Sequence, residues 1–540
     1  MPNTAIDTFC PTTLQDSLAR AAALAPTVEA VVASDGRITY RDLQDRVGLV
    51  RSALQALGVR RGDHVAICMG NGIRWIELFF AAGSLGAVTV PINTRLLPDE
   101  IRYALRQSRA RFLFVASRVI KVDFLAILRE VCPAVDDRLP DDALPDLETV
   151  IVAGGEAPPG ALGWDAFMDG GGAAVEPTAS ADDTLLIQYT SGTTAFPKGA
   201  MLSHRSMLAN AFCAGIRVGF RTADRYHSAR PFFHVSGSTL SVLAALQHAA
   251  TLITMDRFEP GEALAQMERE RATHFSGNDT MVLMLLDHPE RAGRKLHLHG
   301  GWIAGAPTVI RRAIDELGMR DVVVAYGLSE ASPNVALSCW WEPEVVRVAS
   351  RVLVQAGLEV RIRDPEEGGD VPADQEGARQ GELLIKGWSV MKGYFDKPEE
   401  TAAALDPAGW LATGDVVRLD AENRLTFVGR AKDIIRVGGE NVAPAEIEDI
   451  LHRHPAVKQA QVVGVPDARL VEVPAAFIIA SEGTEPDPDE IIAWSRERMA
   501  GFKVPRYVRV VPGFEAIGMT ASSKVQKRKL AAHARELFGL

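Results

Sequence analysis

The sequence predicts an α/β protein with a large N-terminal domain of layered α/β subdomains and a small α+β C-terminal domain. Three observations carry this. β-Rich runs alternate with amphipathic helical segments over most of the chain, short strands and hairpins take over from residue 423 onward, and 540 residues at 47% hydrophobic and 24% charged can bury more than one core.

In chain order, TLQDSLARAAALA (13–25) and TYRDLQDRVGLVRSALQALG (39–58) repeat apolar residues at helical spacing, and Thr39 three residues before Asp42 is a helix-start signal. The runs DHVAIC (63–68), AVTVPI (87–92), RFLFVA (111–116) and TLLIQYT (184–190) are β-rich, so mostly parallel sheets with covering helices are expected. The most apolar window, WIELFFAAGSLGAVTVPI from Trp75, is broken by Glu77, two glycines and a proline, which predicts a helix followed by a buried strand and no integral membrane segment. Segments 133–147, 154–184 and 364–380, rich in Pro, Asp and Gly, read as exposed loops. NRLTFVGR (423–430), AEIEDILHRH, QAQVVGVP and AAFIIA then read as a small unit after a junction near Gly429–Lys432.

A net charge of −11 opposes a phosphate backbone over most of the surface, so no nucleic-acid partner is expected. The five cysteines are widely spaced and form no CxxC, which fits a reducing compartment. The N-terminus shows no basic region followed by an apolar run, and a cytoplasmic location is expected. Nothing in the composition opposes a homodimer.

TSGTTAFPKGA (190–200) packs hydroxyls, glycines and Lys198 behind an apolar strand. Glycines let backbone N–H groups converge on an anion, hydroxyls add donors and Lys198 supplies a point charge, so a polyphosphate suits it. The order differs from GxxxxGK[ST], and composition alone leaves a Ser/Thr/Gly surface turn equally open.

Six motifs in order settle the choice: YTSGTTAFPKG (189–199), YGLSE (326–330), GELLIKG (381–387), TGD (413–415), GRAKDIIRVGGENVAPAEIE (429–448) and TASSK (520–524). Over essentially its whole length the chain resembles the adenylate-forming superfamily of acyl-CoA synthetases, nonribosomal-peptide adenylation domains and luciferases. The resemblance implies a large ATP- and acyl-binding domain (1–431) and a small mobile domain (432–540) carrying a catalytic lysine. It implies that Thr190, Ser191, Gly192, Thr193, Thr194 and Lys198 hold the β- and γ-phosphates of ATP. Tyr326 would lie along the adenine beside Gly327, Ser329 would donate to the α-phosphate, and Glu330 would hold Mg²⁺ together with Thr194, a hard cation meeting oxygen ligands. Asp415 would accept from both ribose hydroxyls, with Arg430 assisting. Lys524 would reach the α-phosphate and the carboxylate oxygen, and Lys432 would be the hinge. Three departures from the family pattern stand out: Ala195 replaces a glycine, Ser329 replaces threonine, and Gly518, Met519 and Ser523 alter the approach to Lys524.

PFFHVSG (231–237) resembles the acyl-CoA synthetase version of its motif, which makes His234 the candidate beside the acyl pocket. FSGNDTMVLMLL (275–286) and GWIAGAP (301–307) would supply walls, with Gly305, Ala306 and Pro307 near the nucleotide and Met281 and Met284 adaptable in shape. No cluster of Arg or Lys there suggests a second carboxylate, so a hydrophobic acid is expected, fatty, alicyclic or aryl. Gly438 and Gly439 resemble the loop that lines the pantetheine tunnel of CoA ligases. The resemblance therefore implies an ATP- and Mg²⁺-dependent acid–CoA ligase working through an acyl-adenylate. The alternatives are loading of an acyl-carrier protein and a nucleotide-binding relative that no longer catalyses.

Overall fold

The computed structural model describes residues 13–190, 197–364, 368–438, 440–519 and 525–540. The mixed α/β architecture has the expected large N-terminal and small C-terminal parts. The large part is built on a 13-stranded and a seven-stranded sheet, and the small part on a five-stranded sheet.

In the seven-stranded sheet His64–Cys68, Val88–Pro91, Phe112–Ala116 and Thr149–Ala153 run parallel, as their continuous apolar sequences require of strands buried on both faces. Its edge is an antiparallel pair, Thr184–Thr190 with Lys198–Ser203. One half of the 13-stranded sheet is parallel, through Arg225–His227, His274–Asn278, Gly300–Ala304 and Val323–Gly327. The other half is antiparallel from Asn334–Leu337 to Leu358–Arg363, so the expectation of mostly parallel sheets holds for only part of the chain. Residues 154–184 are not all loop: they hold a strand at Leu162–Gly163 and a helix at Trp164–Asp169, with Phe167 buried against Phe114.

The helix Ile73–Ser84 is buried on every face except at Arg74, which explains its apolar sequence. Trp75, Phe79 and Phe80 form its core contacts, and buried Glu77 pairs with Arg46 at 2.6 Å. Burial pushes the Glu77 carboxyl up to about 7. Among the described residues no helix is long and apolar enough to cross a membrane. Thr39 accepts from Asp42 N–H at 3.2 Å and starts the helix Tyr40–Ala56 as read from the sequence. Cys68, Cys132, Cys213 and Cys339 are buried free thiols.

In the small part, Ile435–Val437, Glu440–Val442, Val457–Asp467, Val471–Ala480 and Tyr507–Val510 form the sheet. Alternation along Val457–Asp467 and Val471–Ala480 sends side chains to two separate apolar clusters. Pro444–Leu451 and Pro488–Arg496 cover one face and Lys527–Phe538 the other.

Candidate active site

Thr190 and Lys198 face each other at the open end of an antiparallel pair, with the Thr190 hydroxyl donating to the Lys198 carbonyl at 3.4 Å. The loop 191–196 that joins them, with Ser191, Gly192, Thr193 and Thr194, lies outside the described residues. The hairpin therefore brings the two ends of the phosphate motif together. Lys198 Nζ sits 4.7 Å above the Tyr394 ring, and the Tyr394 hydroxyl donates to Glu330 Oε1 at 2.8 Å. This chain of contacts joins the motif lysine to the candidate magnesium carboxylate, 132 residues apart in sequence by their numbers. Tyr394 was not legible beforehand, since the run GYF (393–395) carries no motif.

Tyr326, Asp415 and Arg430 form a second group. The Tyr326 hydroxyl donates to Asp415 Oδ2 at 2.7 Å, and Arg430 Nε lies 2.8 Å from Asp415 Oδ1. The pairing follows from register: Asp415 and Arg430 are opposite each other in neighbouring antiparallel strands, Leu411–Leu419 and Arg424–Arg430. Asp415 is only 2% exposed, and burial first, then its charge, drives the Tyr326 phenol well above its ordinary range. Each carboxylate oxygen has two lone pairs, so Asp415 keeps acceptor capacity beyond these two partners. Gly327 admits no side chain, because a Cβ there would lie 2.2 Å from the Pro333 carbonyl oxygen. Ser329 and Glu330 follow in a short 3₁₀ turn, Ser329–Ala331.

Gly305, Ala306 and Pro307 occupy the turn from Gly300–Ala304 into the helix Pro307–Leu317. A Cβ at Gly305 would collide with Asp279 Oδ1 at 1.8 Å, and the Ala306 N–H donates to the same carboxyl at 3.0 Å. Burial pushes the Asp279 carboxyl up to about 7 against the lowering effect of that N–H. Asp279 thus fixes the turn that the sequence singled out, and the only advance signal was its place in the helix-start dipeptide Asn278–Asp279. Met281 packs against the core, whereas Met284, one turn further along the same helix, is 43% exposed.

His234 caps the helical turn Val235–Gly237, and its Nδ1 accepts from the Ser236 N–H at 3.1 Å. Two residues the motifs did not flag hold this segment. Asn71 donates to the Arg230 carbonyl at 3.0 Å and accepts from the Phe232 N–H at 2.9 Å. Gln188, two residues before Thr190, donates to the Phe233 carbonyl at 3.1 Å. The strand that leads into the candidate phosphate loop is thereby tied to the segment carrying His234.

Lys432 lies in the 3₁₀ turn Ala431–Asp433, directly after the strand that carries Arg430. Burial lowers its ammonium pKa, Asp433 opposes this, and Arg430, Arg528 and Asp415 also act on it. Arg528, four residues past Lys524 on the helix Lys527–Phe538, therefore shares one electrostatic neighbourhood with Asp415 and Arg430. Lys524 itself lies outside the described residues, but Met519 and Val525 pair across the base of its loop. Gly438 turns the hairpin between Ile435–Val437 and Glu440–Val442 at φ +60°, a value that suits glycine, and Gly439 lies outside the described residues.

The sequence profile of the AMP-binding enzyme matches residues 18–395, and that of the AMP-binding enzyme C-terminal domain matches residues 446–524. The chain belongs to the AMP-binding enzyme family. It falls in the acyl-CoA synthetase branch of that family. It is 37% identical over 516 residues to the 3-[(3aS,4S,7aS)-7a-methyl-1,5-dioxo-octahydro-1H-inden-4-yl]propanoyl:CoA ligase of Mycobacterium tuberculosis, covering 94% of this chain and 96% of that one. It is 33% identical over 530 residues to the human mitochondrial medium-chain acyl-CoA ligase ACSF2, covering 94% of this chain and 85% of that one. The crystal structure of the anthranilate CoA ligase AuaEII in complex with anthranoyl-AMP superposes with a TM-score of 0.87 at 27% identity, over 99% of this chain and 100% of that one.

Proposed function

We propose that this acyl-CoA synthetase activates a hydrophobic alicyclic, aryl or fatty acid and that its own residues divide the work as follows. A carboxylate oxygen of the acid attacks the α-phosphorus of ATP and the bond to pyrophosphate breaks. The CoA thiol then loses its proton, its sulfur attacks the acyl carbon, and the bond to AMP breaks. Neither step needs a protein nucleophile, so the site's task is positioning and charge stabilisation.

Lys198 with the loop 190–196 holds the β- and γ-phosphates, and Ser329 donates to the α-phosphate. Tyr326 and Gly327 flank the adenine, Gly305, Ala306 and Pro307 form its turn, and Asp415 with Arg430 takes the ribose. Glu330 fits a magnesium ion, being a carboxylate held from one side by the Tyr394 hydroxyl with acceptor capacity to spare, and Thr194 would be its second protein contact. The ion would neutralise phosphate charge during pyrophosphate departure. His234 borders the acid, Lys524 bridges it to the α-phosphate, Lys432 is the hinge between 1–431 and 432–540, and Gly438 with Gly439 lines the thiol approach. Buried free thiols suit a reducing compartment, which supports a cytoplasmic location.

The observation that carries this reading is the Tyr326–Asp415–Arg430 group, a buried carboxylate prepared to accept hydroxyl donors beside the adenine candidate. Asp415→Asn keeps the shape and removes the charge. It is expected to raise the Kd for ATP and for AMP about tenfold or more, the scale of hydrogen bonds to a charged group. Calorimetric titration with each nucleotide checks this, and unchanged affinity for both would remove Asp415 from the ribose site.

A further inference from the structure

The face of the parallel strands that leads into PFFHVSG is polar where an aliphatic chain would need it apolar. Tyr226, Ser228, Ser276 and Trp302 come from three neighbouring strand segments, and Ser276 and Trp302 are register partners. The Trp302 indole N–H donates to the Tyr226 hydroxyl at 2.9 Å, which in turn donates to Ser276 Oγ at 2.7 Å. Ser276 Oγ donates to Ser228 Oγ at 3.0 Å, and Ser228 meets Ser241 at 2.8 Å. Ser241 lies on the π-helical segment Ser238–Leu243, which packs over this face just after His234. All four hydroxyl residues are buried.

Arg230 stands over this row. Its guanidinium carbon lies 4.2 Å from the centre of the Trp302 ring. The residue is part-buried, yet its Nε and Nη2 are shut off from solvent and have no hydrogen-bond partner among the described residues. Burial lowers its pKa to about 10, with Tyr226 acting the other way, so it stays charged at neutral pH. A guanidinium with two of its three nitrogens shut off from solvent and no hydrogen-bond partner for either among the described residues is costly, and the cation–π contact offsets only part of that cost. Its backbone carbonyl is clamped by Asn71, so the side chain leaves from a fixed point four residues before His234. The carboxyl ends of the same strands carry Asp279 and the Gly305–Ala306 turn, and ligands of such sheets bind outside those ends.

We propose that Arg230 and the hydroxyl row form a polar subsite at the far end of the acyl pocket, which takes an oxygen acceptor carried by the acid, a carbonyl or a second carboxylate. The inference rests on the ligase reading for the position of the pocket. It also revises the expectation of a purely hydrophobic acid: the substrate is a largely apolar acid with one oxygenated end. A single arginine makes no basic cluster in the sequence, because its partner is the substrate and not another residue of the chain.

The test uses the full-length protein, Arg230→Met, and two matched acid pairs. These are 3-(4-oxocyclohexyl)propanoate against 3-cyclohexylpropanoate, and nonanedioate against nonanoate. Acid-dependent pyrophosphate release and calorimetric binding of each acid are both measured. The wild-type protein is expected to favour the oxygenated member of at least one pair by about tenfold or more, and Arg230→Met to abolish or invert that ratio. Which pair responds tells a carbonyl ligand from a carboxylate ligand. The melting temperature of acid-free Arg230→Met is expected to equal or exceed that of the wild type, because an unpaired buried charge has been removed. Equal treatment of both members by the wild type, or the same ratio in Arg230→Met, overturns the subsite. A lowered melting temperature with an unchanged ratio does so too, by making Arg230 structural. If no acid supports pyrophosphate release, the ligase reading fails separately, and the binding ratios still decide the role of Arg230.

Discussion

Lys524→Ala is expected to lower acid-dependent pyrophosphate release by at least about 10²–10³-fold, the scale of losing one charge-stabilising group aimed at a developing oxyanion. ATP affinity should be unchanged, since the proposed phosphate, adenine and ribose contacts are made by residues between Thr190 and Arg430. Binding energy is then retained while transition-state stabilisation is lost, which appears in kcat and not in the nucleotide Kd. The structural support is the shared neighbourhood of Lys432, Arg430, Asp415 and Arg528. The helix that begins at Lys527 is fixed to its own domain by Lys527, which pairs with Glu448 and donates to the Val462 carbonyl at 2.7 Å. Arg528, in the first turn of that helix, acts on Lys432, as do Arg430 and Asp415. Near-normal pyrophosphate release by the alanine variant would assign Lys524 to the solvated basic run KVQKRK instead.

The second large effect is a separation of the two half-reactions. One site can make the adenylate and then the thioester only if the small domain presents Lys524 first and the Gly438–Gly439 loop afterwards, and Lys432 is where the chain would turn. Proline at 432 fixes φ near −65°, a value that a 3₁₀ turn such as Ala431–Asp433 already uses, and denies the range a large rotation needs. Lys432→Pro is therefore expected to keep adenylate formation and to lose most thioester formation. In a single-turnover experiment the adenylate is preformed, CoA is added, and thioester and AMP are followed apart from the earlier pyrophosphate. Equal loss of both half-reactions would contradict a rotating domain.

The parts legible in the sequence were those where one short segment carries its own chemistry. TGD and the strand ending in Arg430 were each singled out by resemblance as ribose candidates, and strand register brings Asp415 and Arg430 together. The α/β alternation gave the seven-stranded sheet its parallel strands, because continuous apolar runs mark strands covered on both faces. The antiparallel half of the large sheet was harder to read, since segments such as LEVRIR alternate and gain their partners only through pairing at long range. The missed residues share one property. Asn71, Gln188, Tyr394 and Asp279 each act on a backbone group or carboxylate far away in sequence, 27 residues at the least. A polar residue in an apolar stretch looks alike whether it clamps a loop or ends a strand, and only the folded chain tells which.

The ligase claim is tested most directly by following pyrophosphate and AMP over one panel of alicyclic, aryl and fatty acids, once with CoA and once without. The account predicts pyrophosphate release that requires ATP and an acid but not CoA, with free AMP and acyl thioester appearing only when CoA is present. ATP binding with no acid-dependent pyrophosphate release across the panel would contradict it and leave a nucleotide-binding protein that does not catalyse.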